Sequence, residues 1–163
     1  NAEYHNSLLI DDYAYMPMKN KIFPDKYYAM SNSSTKIETQ TGYKVILKTS
    51  GFNRIDKNIN FERHLLVEDK SLTIIDNSNS KNDHKIENYF HFDSNLNFIK
   101  DSGAFKFSLN DTSMEFINHD NELSNNVLNV FSKQYGSTEL KRVLNSKSII
   151  NDTNSIIHRM NIL

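Results

Sequence analysis

The sequence of 163 residues predicts an all-β domain over residues 1–163, an antiparallel β-sandwich with little or no helix. In many short runs, apolar and polar residues alternate with a period of two, as half-buried strands require. These runs recur about every 8 to 12 residues and are separated by Asn, Asp, Ser and Gly, which is typical of sandwiches. Ten Phe and eight Tyr residues provide large apolar side chains for one core.

The first part of the chain predicts a strand, a long loop and a hairpin. The apolar run Leu8-Leu9-Ile10 ends at the acidic turn Asp11-Asp12. Residues 13–28 contain two X-Pro pairs, which disfavour helix, so this segment is interpreted as an ordered loop. Residues 35–49 alternate on both sides of Gln40-Thr41-Gly42, and this pattern predicts a hairpin.

Residues 60–93 predict a meander of three strands, around which the other strands are arranged. Phe61 to Val67 and Leu72 to Ile75 are rich in bulky and β-branched side chains, while residues 84–92 alternate. Asp76 to Asp83 contains no apolar residue and is rich in Asn and Ser. This interval is therefore predicted to be a solvated hairpin loop.

The second half of the chain predicts further short strands joined by polar turns. Asp101-Ser102-Gly103 and Asn110-Asp111-Thr112 have the composition of such turns. The predicted strands contain Leu96 to Ile99, Ala104 to Leu109, Met114 to Ile117, Val127 to Phe131, Ser148 to Ile150 and Ile156 to Met160.

Composition and charge argue against several classes of protein. With 19 basic and 20 acidic residues, the net charge is -1, so no basic face for nucleic acid is predicted. The absence of Cys excludes thiol chemistry, disulfides and thiolate metal sites. No apolar run has the length of a membrane span, the given residues show no signal-peptide pattern, and no membrane partner is expected. Because the chain begins Asn-Ala without Met, we expect a fragment of a larger protein.

Three segments, taken in order, resemble the C-terminal β-domain of heparinase II/III-like polysaccharide lyases. Tyr4 to Asp11 resembles the family's His-Asn-Thr stretch with its following strand and acidic turn. Residues 60–93 supply an Arg-containing strand, a strand ending in Asp and a strand ending in His-Phe-Asp. Ser132 to Gly136 resembles a Ser…Tyr-Gly signature. The resemblance implies a sandwich of the super-sandwich type that follows an α/α toroid in the parent protein.

The resemblance also implies a reaction. Lyases of this type cleave uronic-acid-containing polysaccharide by β-elimination, and most of their acid and base groups lie on the helical toroid. We therefore expect an accessory domain that is inactive alone and carries no catalytic residue. The implied partners are the upstream toroid of the same chain and an acidic polysaccharide, in a periplasmic or extracellular location.

Tyrosines in the segment 13–28 are candidate polysaccharide contacts. Aromatic rings can stack on sugar rings, and the neighbouring lysines can pair with carboxylates or sulfates. Alternatively, these tyrosines cover the open end of the sandwich. The candidates are Tyr13, Tyr15, Tyr27 and Tyr28.

Arg63 and His5 are the other candidates, and both are assigned through the resemblance. Arg63 stands where the family usually has an Arg and is a candidate substrate contact, but it could instead pair with Glu62, Glu68 or Asp69. His5 would bind a structural zinc ion together with a His and an Asp from an upstream segment. Because zinc needs three or more protein ligands, no cofactor is expected in this chain alone, where His5 would be an ordinary half-exposed His.

Two other functions remain open. An autonomous carbohydrate-binding module would present a row of solvent-facing aromatic residues. A structural or assembly domain of a surface-polysaccharide protein would have no affinity for sugar.

Overall fold

The computed structural model describes residues 8–14, 32–93, 96–101, 104–109, 112–118, 123–131 and 139–163. Within these ranges the strands are β1 Leu8–Ile10, β2 Tyr13–Ala14, β3 Asn32–Glu38, β4 Gly42–Thr49, β5 Asn60–Glu68, β6 Ser71–Phe92, β7 Asn97–Asp101, β8 Ala104–Leu109, β9 Thr112–Asn118, β10 Leu123–Phe131 and β11 Glu139–Ile162. A short 3-10 helix, Gly51–Arg54, precedes β5. In the part of the chain so described, no helix is long and apolar enough to cross a membrane. The prediction of an all-β fold with little helix is confirmed.

The strands pair in an antiparallel manner and form one sheet. Its main order is β3-β4-β5-β6-β11-β9-β8-β7, while β1 pairs with both β2 and β6, and β10 pairs with β11. The two longest strands, β6 and β11, pair from Ser71 opposite Asn161 to Phe92 opposite Arg142. One half of β6 borders β5 and the other half borders β1. These two strands therefore belong to both halves of the sheet.

The sheet folds back on itself, and this produces the two layers of the sandwich. His158 is the Cα partner of Ile74 in the ladder between β11 and β6. In a straight strand, Phe90 would lie roughly 50 Å from Ile74, at about 3.3 Å per residue. The rings of Phe90 and His158 are nevertheless only 4.7 Å apart. The paired strands β6 and β11 must therefore bend, so that the two ends of the pair face each other.

An irregularity lies midway along the bent pair. Ile150 pairs with His84, but Asp152 pairs with Ser80, so residues 81–83 of β6 lie opposite Asn151 alone. Extra residues of this kind bend and twist a strand.

The predicted hairpin loop at Asp76 to Asp83 is therefore wrong, because these residues lie inside β6. The predicted meander of three strands is formed by β5 and β6 only, joined at residues 69–70. In the same way, Ser148 to Ile150 and Ile156 to Met160 are parts of the single strand β11. The ion pair of Asp76 with Arg63 on the neighbouring strand helps to keep this polar stretch in the sheet.

Two apolar clusters fill the interior between the layers. Phe116 is 1% exposed, and its ring lies 4.9 Å from that of Phe90. The first cluster contains Leu8, Ile10, Phe52, Ile59, Phe61, Ile86, Ile150 and Ile156. The second contains Phe90, Leu96, Phe105, Phe107, Phe116 and Leu144. Each cluster combines residues from both halves of the sheet, as a sandwich requires.

Several predicted turns lie where the sequence places them. β3 and β4 form a hairpin, with Glu38 opposite Tyr43. β7, β8 and β9 form two successive hairpins that close at Asp101 opposite Ala104 and at Leu109 opposite Thr112. Gly42 has a steric role at the start of β4, because a Cβ there would lie 1.9 Å from the carbonyl oxygen of Val67.

Candidate functional site

Only two of the predicted site residues are within the described ranges. His5, Tyr15, Tyr27 and Tyr28 lie outside the described residues. Tyr13 is in β2, with 57% of its surface exposed. Arg63 is in β5, and its side chain is 14% exposed. The two residues therefore have different surroundings and are considered separately.

Arg63 forms a bidentate ion pair in the interior. Its Nε donates to Oδ1 of Asp76 at 2.6 Å, and its Nη2 donates to Oδ2 at 2.8 Å. Nη2 also donates to Oδ1 of Asn88 at 2.9 Å. Burial opposes the charge on Arg63, but the buried carboxylate of Asp76 outweighs burial and raises the pKa of Arg63 above its ordinary value. The pair links the half of the sheet that carries β5 to the half that carries Asn88.

The partner of Arg63 differs from those that the sequence suggested. Asp76 is the Cα partner of Arg63 across β5 and β6, so both side chains point to the same face of the sheet. Glu62 lies on the other face, where it binds Lys48 at 2.5 Å. Direct contact of Arg63 with a polysaccharide stays a prediction.

Three segments of the chain meet at His84, in a cluster that we call the His84 clamp (Asp11, Asp56 and His84). Nδ1 of the buried ring is 2.6 Å from Oδ2 of Asp11, and Nε2 is 3.4 Å from Oδ2 of Asp56. Each ring nitrogen therefore faces a carboxylate oxygen from a different segment of the chain. The clamp joins the turn after β1, the loop before β5 and the middle of β6.

Asp11 is held by its main chain as well as its side chain. Asp11 and Asp12 have φ angles of 47° and 66°, in the left-handed region that a two-residue hairpin turn uses. The N–H of Lys85 donates to Oδ1 of Asp11 at 2.9 Å, and the N–H of Asp11 donates to the carbonyl oxygen of Lys85 at 2.9 Å. The turn between β1 and β2 is therefore fixed against β6.

Asp56 is held in its ionised form by several donors. The main-chain N–H of Asn58 donates to Oδ1 at 2.8 Å, and the side-chain amide of Asn82 donates to Oδ2 at 2.6 Å. These hydrogen bonds, with a smaller contribution from His84, lower the pKa of Asp56 to about 2. The ordinary value is 3.8. Ionisation of Asp56 therefore stabilises the folded protein relative to the unfolded chain.

The depressed pKa of Asp56 predicts an acid-dependent loss of stability. The contribution of Asp56 should be complete above about pH 4 and should fall as the pH drops through the pKa of about 2. Asp56→Asn keeps an oxygen acceptor but cannot ionise, so the variant should lose less stability than the wild type between about pH 4 and pH 2. Urea midpoints at several pH values measure this difference. Asp69→Asn, at an exposed turn, is the control, and equal acid sensitivity of Asp56→Asn and wild type would contradict the assignment.

Tyr13 lies beside Arg54 at the surface, next to the His84 clamp. The guanidinium carbon of Arg54 is 5.8 Å from the centre of the Tyr13 ring. Nη2 of Arg54 donates to the carbonyl oxygen of Ala14, and Nη1 donates to that of Gly51 at 3.4 Å. Partial burial lowers the pKa of Arg54 below its ordinary value, while Tyr13 opposes this effect. The pair thus presents an exposed aromatic ring beside a guanidinium.

Tyr13 was predicted from the sequence, whereas Arg54, Asp56 and His84 were not. These residues come together only through the turn after β1 and the pairing of β1 with β6. No short spacing in the sequence connects them. The single signal was the acidic turn directly after an apolar strand, which places a carboxylate at the end of β1.

The described residues give no ligand set for a zinc ion. Within the described ranges, no group of three or more His, Cys, Asp and Glu side chains is arranged to hold a metal. His5 lies outside those ranges, so the predicted zinc site stays a prediction. No chemical step is assigned to a metal.

The fold defines a class of protein, namely two-layer β-sandwich domains in which one antiparallel sheet continues from layer to layer. Within this class, the chain belongs to the family described as heparinase II/III-like, C-terminal, whose model matches residues 2–155. It is a C-terminal domain of the heparinase II/III type. The family resemblance noted in the sequence is therefore confirmed.

Solved structures of larger proteins contain the same fold. The heparinase III BT4657 gene product, with methylated lysines, matches 98% of this chain and 23% of its own, with 10% identity and a TM-score of 0.70. Heparan sulfate lyase HepC from Pedobacter heparinus matches 98% of this chain and 24% of its own, with 12% identity and a TM-score of 0.69. These identities indicate a likeness of fold alone. The chain spans about a quarter of the length of these proteins. No curated protein sequence matches it.

Proposed function

We propose that this domain is the non-catalytic accessory sandwich of a polysaccharide lyase that acts on uronic-acid-containing polysaccharide by β-elimination. The observation that carries the proposal is the family match over residues 2–155, in agreement with a fold shared over 98% of the chain with a heparan sulfate lyase. The proposed partners are a helical toroid upstream in the same protein and an acidic polysaccharide. A periplasmic or extracellular location is part of the same proposal.

The chemistry of β-elimination supports a non-catalytic role. A base must reach the proton next to the uronate carboxyl, and an acid must reach the leaving oxygen, each within hydrogen-bond distance. The ionisable groups described above are instead engaged within the fold. Arg63 binds Asp76, and His84 binds Asp11 and Asp56. Groups committed in this way stabilise a supporting wall, and the acid and base would come from the toroid.

The test compares the isolated chain with the full-length protein that carries it. Each is mixed with heparan sulfate and with other uronic-acid polysaccharides, and the ultraviolet absorbance of the unsaturated uronate product is followed. We expect elimination by the full-length protein and none by the isolated chain. Turnover by the isolated chain would show that the domain is itself catalytic, and a full-length protein inactive on every uronic-acid polysaccharide would overturn the lyase assignment.

Direct sugar contacts and a zinc ion belong to the proposal for the full-length protein. Tyr13, Tyr15, Tyr27 and Tyr28 are the proposed aromatic contacts, and His5 is the proposed zinc ligand. Exposure of Tyr13 supports the first point, since an accessible ring can stack on a sugar. Zinc content of the purified full-length protein, compared with that of its His5→Ala variant, tests the second.

An autonomous carbohydrate-binding module is the second candidate. It is favoured by the exposed ring of Tyr13 beside Arg54, because both groups are available without another domain. Binding of the isolated chain on a glycan array would support this candidate. A full-length protein that binds sugar but catalyses no elimination would favour it over the accessory domain of a lyase.

A further inference from the structure

We propose that Tyr13 and Arg54 form a subsite for one negatively charged sugar unit. Tyr13 would stack on the apolar face of the sugar ring, and Arg54 would bind its carboxylate or sulfate group. The proposal deepens the proposed function and rests on it for the choice of an acidic saccharide as ligand. Two contacts of different chemistry on one surface would select an acidic sugar over a neutral one.

Arg54 retains donors for a ligand. A guanidinium carries five N–H donors in a rigid fork that matches a carboxylate or a sulfate. Two of its nitrogens donate to the carbonyl oxygens of Ala14 and Gly51, and these bonds fix the side chain. Among the described residues no carboxylate forms an ion pair with Arg54, whereas Arg63 is paired with Asp76. No carboxylate of the described residues therefore competes with an external anion for the positive charge of Arg54.

Tyr13 provides the surface on which a sugar ring can lie. Its exposed fraction of 57% is large for an aromatic residue in a strand. Arg54 lies near the outer limit for a cation–π contact, at 5.8 Å from the ring centre, so it does not cover the ring closely. Within the described part of the chain, the Tyr13 hydroxyl has no hydrogen-bond partner. Among the described residues, nothing therefore competes with a sugar for the hydroxyl of Tyr13, and its ring is exposed beside Arg54.

The His84 clamp fixes the distance between the two halves of the subsite. Tyr13 follows Asp11 by two residues, and Arg54 precedes Asp56 by two residues. Asp11 and Asp56 contact opposite nitrogens of the same buried imidazole. The bond from Arg54 to Ala14 joins the same two segments at the surface. A ligand would therefore meet a preformed pair, which lowers the entropy lost on binding.

The experiment measures binding of defined oligosaccharides to the 163-residue chain and to the full-length protein. The probes are a glucuronate-containing tetrasaccharide, its sulfated form and a neutral cellotetraose, with titration calorimetry as the readout. Arg54→Gln should weaken binding of both acidic probes by roughly 10- to 100-fold, because a charged hydrogen-bond donor is lost. Tyr13→Ala should weaken binding of every probe that binds. Lys57→Gln removes one exposed charge from the same loop and should change each affinity by less than about 2-fold.

Several outcomes would overturn the subsite, and they are separable from failure of the proposed function. If both variants bind acidic probes like wild type, or if wild type binds no saccharide, the subsite is wrong, whatever the lyase assay shows. If poly-glutamate binds as tightly as the acidic sugars, Arg54 recognises anions without a sugar. An Arg54-dependent preference for acidic sugars, in a full-length protein without lyase activity, would keep the subsite and reject the lyase. Unchanged thermal midpoints confirm that the variants are folded.

Discussion

Asp76→Ala is expected to lower the free energy of unfolding by about 3–5 kcal/mol, because the change leaves Arg63 charged and buried without its partner. The side chain of Asp76 is 0% exposed and that of Arg63 is 14% exposed, so water cannot replace the lost carboxylate. The interaction with Asn88 holds Arg63 in place and further limits its escape to solvent. Urea unfolding followed by circular dichroism measures the change.

A pair at the surface gives the matched control. Lys48 and Glu62 are 2.5 Å apart, with side chains 55% and 34% exposed, so Lys48→Ala should cost less than about 1 kcal/mol. The double variant Arg63→Met, Asp76→Leu should recover much of the stability lost in Asp76→Ala, because it removes both charges. If Asp76→Ala destabilises the protein no more than Lys48→Ala does, the ion pair does not support the sandwich.

Phe116→Ala is expected to lower the free energy of unfolding by about 3–5 kcal/mol. Phe116 is 1% exposed and lies where the folded sheet meets itself. Its ring centre is 4.9 Å from Phe90 and 5.9 Å from His158, so truncation opens a cavity between the two layers. Both chemical and thermal unfolding should show the loss.

An exposed apolar residue provides the comparison for Phe116. Ile99 is 65% exposed on β7, and Ile99→Ala should change the free energy of unfolding by less than about 0.5 kcal/mol. A similar loss for the two variants would mean that the layers do not pack as described. Phe116→Leu keeps part of the side-chain volume, so its loss of unfolding free energy should fall between those of Phe116→Ala and Ile99→Ala.

Local alternation predicted the strands that have one apolar face. β8 and β9 follow their apolar positions closely, and Phe105, Phe107 and Phe116 all point into the core. The turns between these strands were predicted because Gly, Asn and Asp stand directly between apolar runs. Information of this kind lies within a few residues, so it can be recovered without the fold.

Residues 76–83 were wrongly predicted to be a loop, because the residues that pair with this polar stretch are distant in the sequence. Asp76 is satisfied by Arg63, while Ser78 and Ser80 are buried opposite the polar middle of β11. A polar run without local apolar residues normally indicates a solvated loop. Here the Asn and Asp residues at 82 and 83 mark the irregularity in the long strand instead of a chain reversal. Only the identity of the distant partner distinguishes these cases.

The sequence predicted the kind of candidate site, an aromatic contact for a sugar, but not all of the residues that form it. Tyr13 could be singled out because tyrosines and lysines cluster in its segment of the sequence. Arg54 and His84 could not, since neither has a distinctive neighbour in the sequence. Arg54 acquires its role from a hydrogen bond to the distant Ala14, and His84 from contacts with Asp11 and Asp56. Arg63 was noticed for its family position, and its partner Asp76 became evident only from the register of β5 and β6.

The pairing of β6 with β11 has a consequence for how the protein is made. Ser71 pairs with Asn161, and Phe92 pairs with Arg142. The central ladder therefore joins segments that leave the ribosome at different times. Hairpins such as β3 with β4 can form early during translation, but the middle of the sheet has to remain open until β11 emerges. Until then, the aromatic side chains of the nascent domain are exposed, and exposed apolar surface with unpaired strand edges is prone to aggregation.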